Sequence, residues 1–204
     1  MGNDPKEKSR AAFDHQARDY DSGPYGRHAR RLHADIMTAI ESCRFEVVLD
    51  VGCGTGATLA AIAATYPNVR AYGVDLSPEM VAFARERLSP VADVRVGDAE
   101  HLPLADGAVV LVTCVDSLHH YPNPGTALAE MHRVTRRGGG LVLGEWRATA
   151  PWRQLMNWLL PRTPGGDVRI YTPAELTELA ASVGYRVERC TPAGVRAQLL
   201  MARS

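Results

Sequence analysis

A β-prone run that leads straight into alternating glycines is the feature that most limits what this chain can become. Phe45 to Val51 is continuous and strand-forming, and Gly52-Cys53-Gly54-Thr55-Gly56-Ala57 separates it from an Ala-rich helical pattern at Thr58 to Thr65. Glycine tolerates positive φ and carries no Cβ, so the main chain can turn sharply at the carboxyl end of a strand and lie bare to a ligand. The spacing Gly52-x-Gly54-x-x-Ala57 fits the dinucleotide fingerprint. Asp75, 23 residues after Gly52 and at the end of the next strand-forming run, supplies a carboxylate suited to the vicinal hydroxyls of a ribose. Loop and acid together predict a nucleoside-type ligand without naming which one.

The rest of the chain keeps the same rhythm. Val69–Val74, Val91–Val96, Ala108–Val115 and Leu141–Trp146 read as strands. Ser77-Pro78 offers an N-cap and a first-turn proline for the helix that follows, Leu128–Val134 is helical, and Gly138-Gly139-Gly140 is expected to stop it. Thr172-Pro173-Ala174-Glu175 is a capping box opening a last helix that ends at Gly184. Tyr185–Thr191 and Val195–Ala202, joined by Pro192-Ala193-Gly194, are too tightly linked to be parallel. The alternation predicts an α/β, Rossmann-like fold. Its sheet is seven-stranded and mostly parallel, with helices on both faces and an antiparallel C-terminal hairpin. Residues 1–44, with Phe13, Tyr20, Tyr25 and an amphipathic stretch from His28 to Ile40, form a helical cap or lid. Residues 147–170, with Trp152, Leu155, Met156 and Leu159 at helical spacing, form a helical insertion.

Charge narrows the function. Lys+Arg and Asp+Glu are both 23 in 204 residues, which argues against a nucleic-acid partner, since phosphate binding shows as a basic excess. No apolar run is long enough to span a membrane. The polar start MGNDPKEKSR lacks a secretory core, and Cys43, Cys53, Cys114 and Cys190 form no C-x-x-C pair. A cytoplasmic chain with reduced thiols is expected.

Several ordered motifs together resemble class I S-adenosylmethionine-dependent methyltransferases, within the small-molecule, type 11 group that includes ubiquinone/menaquinone C-methyltransferases. Val48-Leu49-Asp50-Val51-Gly52-Cys53-Gly54-Thr55-Gly56 is similar to that family's first motif, and Gly73-Val74-Asp75-Leu76-Ser77-Pro78-Glu79-Met80 to its second. Gly97-Asp98-Ala99-Glu100 with Leu102-Pro103-Leu104 resembles the third, followed by Ser117-Leu118-His119-His120. Leu128 to Val134, the glycine triplet and Glu145 fit the segment around the fifth strand; Phe13-Asp14, Ala17 and Tyr20-Asp21 fit the N-terminal entry. Val109-Val110 and Arg136-Arg137 stand where the family often has Phe-Asp and Lys-Pro.

The resemblance implies S-adenosylmethionine as cofactor, S-adenosylhomocysteine as product, and residues 45–204 as the cofactor-binding domain. Asp50 and Gly52, Cys53, Gly54 and Gly56 would face the methionine moiety and Asp75 the ribose. Leu76 and Met80 would line the adenine slot, and Asp98 and Ala99 would bind its edge, with Glu100, Val115 and Tyr20 completing the contacts. Methyl transfer from a sulfonium is an in-line displacement, so alignment carries most of the work and a base is needed only for a protonated acceptor. His119, just past the fourth strand, is the first candidate for that base. His120 is second, because an extended chain would send the two rings to opposite faces. Glu145 is expected at the pocket edge, and Trp146, Trp152 and Trp158 near an apolar or aromatic acceptor. No metal is expected, since adjacent histidines chelate poorly and no carboxylate triad accompanies them.

Two other readings compete. A nicotinamide-dependent oxidoreductase fits the glycine loop, but its short-chain form needs Tyr-x-x-x-Lys and the only lysines are Lys6 and Lys8. A non-catalytic S-adenosylmethionine-binding protein would lack an acceptor pocket. The expected partner is a small-molecule acceptor, and a homodimer is compatible with the chain.

Overall fold

Alternating residues of the strand-forming runs face opposite sides of one sheet, and helices cover both. The computed structural model describes residues 4–193 and 196–204, apart from the side chains at 24, 25, 27–29 and 31. The strands are β1 (Val47–Val51), β2 (Arg70–Asp75), β3 (Ala92–Val96), β4 (Val109–Val115), β5 (Thr135–Trp146), β6 (Arg186–Ala193) and β7 (Ala197–Arg203). They lie in the order β3-β2-β1-β4-β5-β7-β6. β1 to β5 are parallel, and β7 runs antiparallel to both β5 and β6. Gly194 and Val195, in the hairpin connection, lie outside the described residues.

Helices α2 (Pro24–Glu41), α3 (Ala57–Thr65) and α4 (Pro78–Leu88) cover one face, where Ile36, Ile40, Leu59, Ile62 and Leu88 pack with Val48 and Leu111. Helices α5 (Pro124–Val134) and α7 (Pro173–Ser182) cover the other, where Leu128, Met131 and Leu176 pack with Leu49 and Val112. Neighbouring residues of β1 and β4 thus feed opposite cores, as a parallel sheet buried on both sides requires. Both expected caps form. Ser77 Oγ accepts from the Met80 N–H (3.1 Å), and Thr172 and Glu175 bond reciprocally at 2.7 and 3.2 Å. Each such cap is worth about 0.5–2 kcal/mol.

Two local expectations need correction. The glycine triplet does not stop a helix; it lies inside β5, which begins six residues earlier than expected. Helix α5 ends at Val134 because Thr135 pairs with Val109, while its hydroxyl donates to the Met131 carbonyl (2.6 Å). The N-terminal segment contributes α1 (Pro5–Gln16) besides α2, with Asp4 as N-cap. Among the described residues no helix is long and apolar enough to cross a membrane.

The strand order reverses between β1 and β4, and an open parallel sheet binds ligands at the carboxyl ends beside such a reversal. α1 lies over that edge. Residues 163–170 reach it through the Val168 N–H, which donates to the His119 carbonyl (2.8 Å), and the insertion helix α6 (Trp152–Leu159) precedes them in the chain.

Candidate active site

At the end of β1 the chain turns through Gly52, Gly54 and Gly56, at φ 71°, 52° and 79°. The N–H groups of Gly52 and Cys53 both donate to the Val74 carbonyl, folding the loop against the end of β2. A Cβ added at Gly54 would meet nothing within 4 Å, so this stretch of main chain is bare on its outer side. Asp75 braces the loop from behind. Its carboxylate accepts from the Gly54 N–H (2.8 Å) and the Ser77 N–H (2.9 Å), tying the glycine turn to the start of α4. Burial pushes the Asp75 carboxyl up, with these N–H groups opposing the shift.

Facing the loop across a cavity of about 50 Å³ are Gly97, Asp98 and Ala99 from the end of β3, with α1 seated on top. Lys6 Nζ donates to Asp98 Oδ2 at 2.7 Å and lies 2.8 Å from Glu100 Oε2. Further along α1, Asp14 accepts from the Ser77 hydroxyl at 2.6 Å. Burial alone would raise the Asp98 carboxyl, but the Lys6 ammonium and the Glu100 N–H hold it below its ordinary value.

A second cavity, of about 290 Å³, lies on the β4–β5 side. Phe13, Tyr20 and Trp146 give it aromatic walls, while Asp116, His119, His120 and Asp167 give it polar ones. Asp116 is in the left-handed region at φ 53°, a conformation that aspartate tolerates better than most residues. The chain leaves it in a 3-10 turn, Leu118–His120, rather than an extended strand. The expectation that His119 and His120 point to opposite faces is therefore wrong. Their ring centroids are 4.2 Å apart, and both rings line this cavity.

Glu145 also departs from its expected place. It is 1% exposed and touches neither cavity. Its Oε1 accepts from the N–H groups of Ser117 (3.1 Å) and Leu118 (2.7 Å), and its Oε2 lies 2.8 Å from His119 Nδ1. Burying a carboxylate costs several kcal/mol unless it is well paired, and here three donors meet it. Glu145 is a positioning residue that fixes the turn and the first imidazole. Burial alone would lower the His119 pKa; Glu145, Asp116 and Asp167 outweigh it and push it up to about 9. Burial and the neighbouring His119 ring keep His120 well below the imidazole range.

Of the other residues anticipated at the cofactor, Leu76 lines the small cavity, whereas Asp50, Cys53, Met80 and Val115 are buried behind it. Asp50 has one hydroxyl donor, Thr113 at 2.7 Å, and burial pushes its carboxyl up to about 7. Glu100 holds Asn123 through its N–H (3.1 Å) and side-chain amide (3.0 Å). Tyr20 lies against Phe13, edge to face at 6.1 Å, and lines the large cavity. Trp152 and Trp158 are exposed and do not reach the acceptor side, because α6 is tethered through Asn157, bonded to Ile170 N and O. Asp167 escaped the sequence reading. Gly165-Gly166 beside it was the available signal, marking a tight loop.

Residues 49–143 match the methyltransferase domain family. The malonyl-[acyl-carrier protein] O-methyltransferase of Geobacter sulfurreducens is 36% identical over 138 residues, covering 66% of this chain and 51% of that protein. The demethylmenaquinone methyltransferase of Beutenbergia cavernae is 38% identical over 146 residues, covering 69% and 58%. The chain thus spans about half the length of the curated relatives it matches. A SAM-dependent methyltransferase from Aquifex aeolicus superposes with a TM-score of 0.71 at 21% identity, over 93% of this chain and 97% of that one, and so shares the fold.

Proposed function

We propose that this protein, whose residues 49–143 match the methyltransferase domain family, transfers a methyl group from S-adenosylmethionine to a small molecule. One observation carries the reading. The glycine-loop cavity and the aromatic cavity share Phe13 and His120 as a common wall, so two ligands would meet there. The two relatives are named for different acceptors, malonyl-[acyl-carrier protein] and demethylmenaquinone, so the acceptor is assigned here by class only.

The residues at the first cavity suit the cofactor. Bare main chain at Gly54 faces a carboxylate, Asp75 holds the ribose, and Leu76, Asp98 and Ala99 take the adenine. Asp50, Cys53, Met80 and Val115 support these contacts from behind. Lys6, held on Asp98 at 2.7 Å, stands over the place proposed for the adenine edge, so a bound cofactor would draw Lys6 away from Asp98. When bound, the cofactor supplies an electrophilic methyl on a sulfonium. The chain's own task is alignment, which is worth on the order of 7–11 kcal/mol of barrier.

Phe13, Tyr20 and Trp146 favour an aromatic or apolar acceptor. His119, its Nδ1 fixed by Glu145 and its pKa pushed up to about 9, takes an acceptor's proton at Nε2 only once it has lost its own, so a base role predicts turnover that rises with pH toward 9. Calorimetric titration with S-adenosylhomocysteine, with NADH and NADPH in parallel, tests the cofactor class. Micromolar binding of S-adenosylhomocysteine alone is expected; binding of a nicotinamide cofactor instead overturns the reading.

A further inference from the structure

His119 and His120 are adjacent in sequence, which in a strand would separate their rings. The 3-10 turn instead directs one nitrogen of each toward the same carboxylate. His119 Nε2 lies 3.6 Å from Asp167 Oδ1, and His120 Nδ1 lies 3.8 Å from that oxygen. All three donor atoms fall within 4.8 Å of one another.

The remaining ring nitrogens are already committed. His119 Nδ1 is 2.8 Å from Glu145 Oε2. His120 hydrogen-bonds to the Gly166 backbone, while its Nδ1 is buried without a hydrogen-bond partner. Nδ1 is thus the nitrogen of His120 that the surrounding protein leaves unused. A buried ring nitrogen with no hydrogen-bond partner is unfavourable, so such an atom calls for an explanation. A carboxylate or carbonyl on the far nitrogen is also the usual means of orienting a metal-bound imidazole.

We propose that His119 Nε2, His120 Nδ1 and Asp167 Oδ1 form a site for one first-row divalent cation of the zinc type. Two imidazoles and one carboxylate suit Zn²⁺, Fe²⁺ or Co²⁺ better than Mg²⁺, which takes oxygen ligands almost exclusively. Tetrahedral bonds of about 2.0–2.2 Å set donor atoms about 3.4 Å apart, so the Asp167 contacts at 3.6 and 3.8 Å shorten by only a few tenths of an ångström, and the two ring nitrogens, within 4.8 Å of each other, by up to about 1.4 Å. Asp167, in a loop and partly exposed, has room to supply its own part of that movement. The neighbouring trio Asp116, His119 and Glu145 does not compete, because it would use the Nδ1 that Glu145 already holds. Three protein ligands leave the other coordination positions facing the aromatic cavity, where water or an acceptor oxygen fits. With a cation bound, Nε2 is a ligand, and the proton-accepting role proposed above belongs to the metal-free protein.

The test needs no activity. The chelator-stripped protein is titrated with ZnCl₂ by calorimetry and with CoCl₂ by visible absorption, alongside His120→Gln and Asp167→Asn. The expected result is one equivalent at micromolar affinity or tighter, a Zn²⁺-dependent rise in Tm, and at least tenfold weaker binding in each variant. Absence of saturable one-to-one binding overturns the proposal, as does binding that both folded variants retain. Variants are first checked by circular dichroism; if one unfolds, Glu145→Gln takes its place, with the same tenfold weakening expected and undiminished binding again overturning the site. The S-adenosylhomocysteine titration is independent, so either assignment can fail alone.

Discussion

The two compartments of the cleft are built from different materials. Around the glycine loop, one side of the cavity comes from the ends of β1, β2 and β3, with bare main chain at Gly54, and the other from α1 and the turn after β4. The aromatic cavity is made of side chains that arrive from α1, the turn after β4, the end of β5 and the 163–170 loop. A main-chain site advertises itself through glycine spacing. A side-chain site assembled from distant segments leaves no local pattern. The buried acids differ likewise: Glu145 meets two N–H groups and an imidazole, whereas Asp50 has a single hydroxyl.

The strongest way to break this division is Asp75→Ala, which removes the brace of the glycine loop and the ribose anchor together. S-adenosylhomocysteine binding should be lost in calorimetry, and binding at the wild-type level would dissolve the contrast. His119→Ala is the reciprocal test. Turnover with a hydroxyl acceptor should fall on the order of 10²–10⁴-fold while cofactor affinity hardly changes. Unchanged turnover would remove proton transfer from His119 and leave alignment alone.

Asp50→Asn sharpens the comparison between the acids. The folded-state pKa, about 7, lies above the ordinary 3.8, so the folded protein retains a proton that the unfolded chain releases. Stability from this group is full below about pH 4 and is lost as pH rises to about 7, by roughly 4 kcal/mol at most. Denaturant melts across that window should show the wild type losing stability more steeply than Asp50→Asn; parallel curves would mean that Asp50 is already ionised in the native state. The smallest effect is expected from Lys6→Ala. Half-exposed ion pairs are worth about 1 kcal/mol or less, so S-adenosylhomocysteine should bind only a few-fold more tightly when α1 loses its hold on Asp98. Weaker binding would instead make Lys6 a ligand contact.

The strands, their order of appearance and the glycine turn were readable because each rests on local pattern: a buried run, a proline at a helix start, a capping box. Asp75 was readable for the same reason. The two histidines were found, but not their relation, since a single positive φ at Asp116 converts an extended exit into a 3-10 turn. Asp167 lies 47 positions beyond His120, and the Lys6–Asp98 contact joins residues 92 apart. Periodicity carries no information over such separations. Trp152 and Trp158 were expected near the acceptor through the family resemblance alone, and neither lines the aromatic cavity.

One contact gives α1 a meaning beyond covering an edge. A Cβ at Gly166 would come within 2.5 Å of the Ser9 nitrogen, so helix and loop touch main chain to main chain, while Phe13, a turn further along, walls both cavities. One helix therefore acts as the door to two rooms. Were α1 to lift as one body to admit the cofactor, both cavities would open in the same event. Substrate order, product inhibition and residence time would then share one rate.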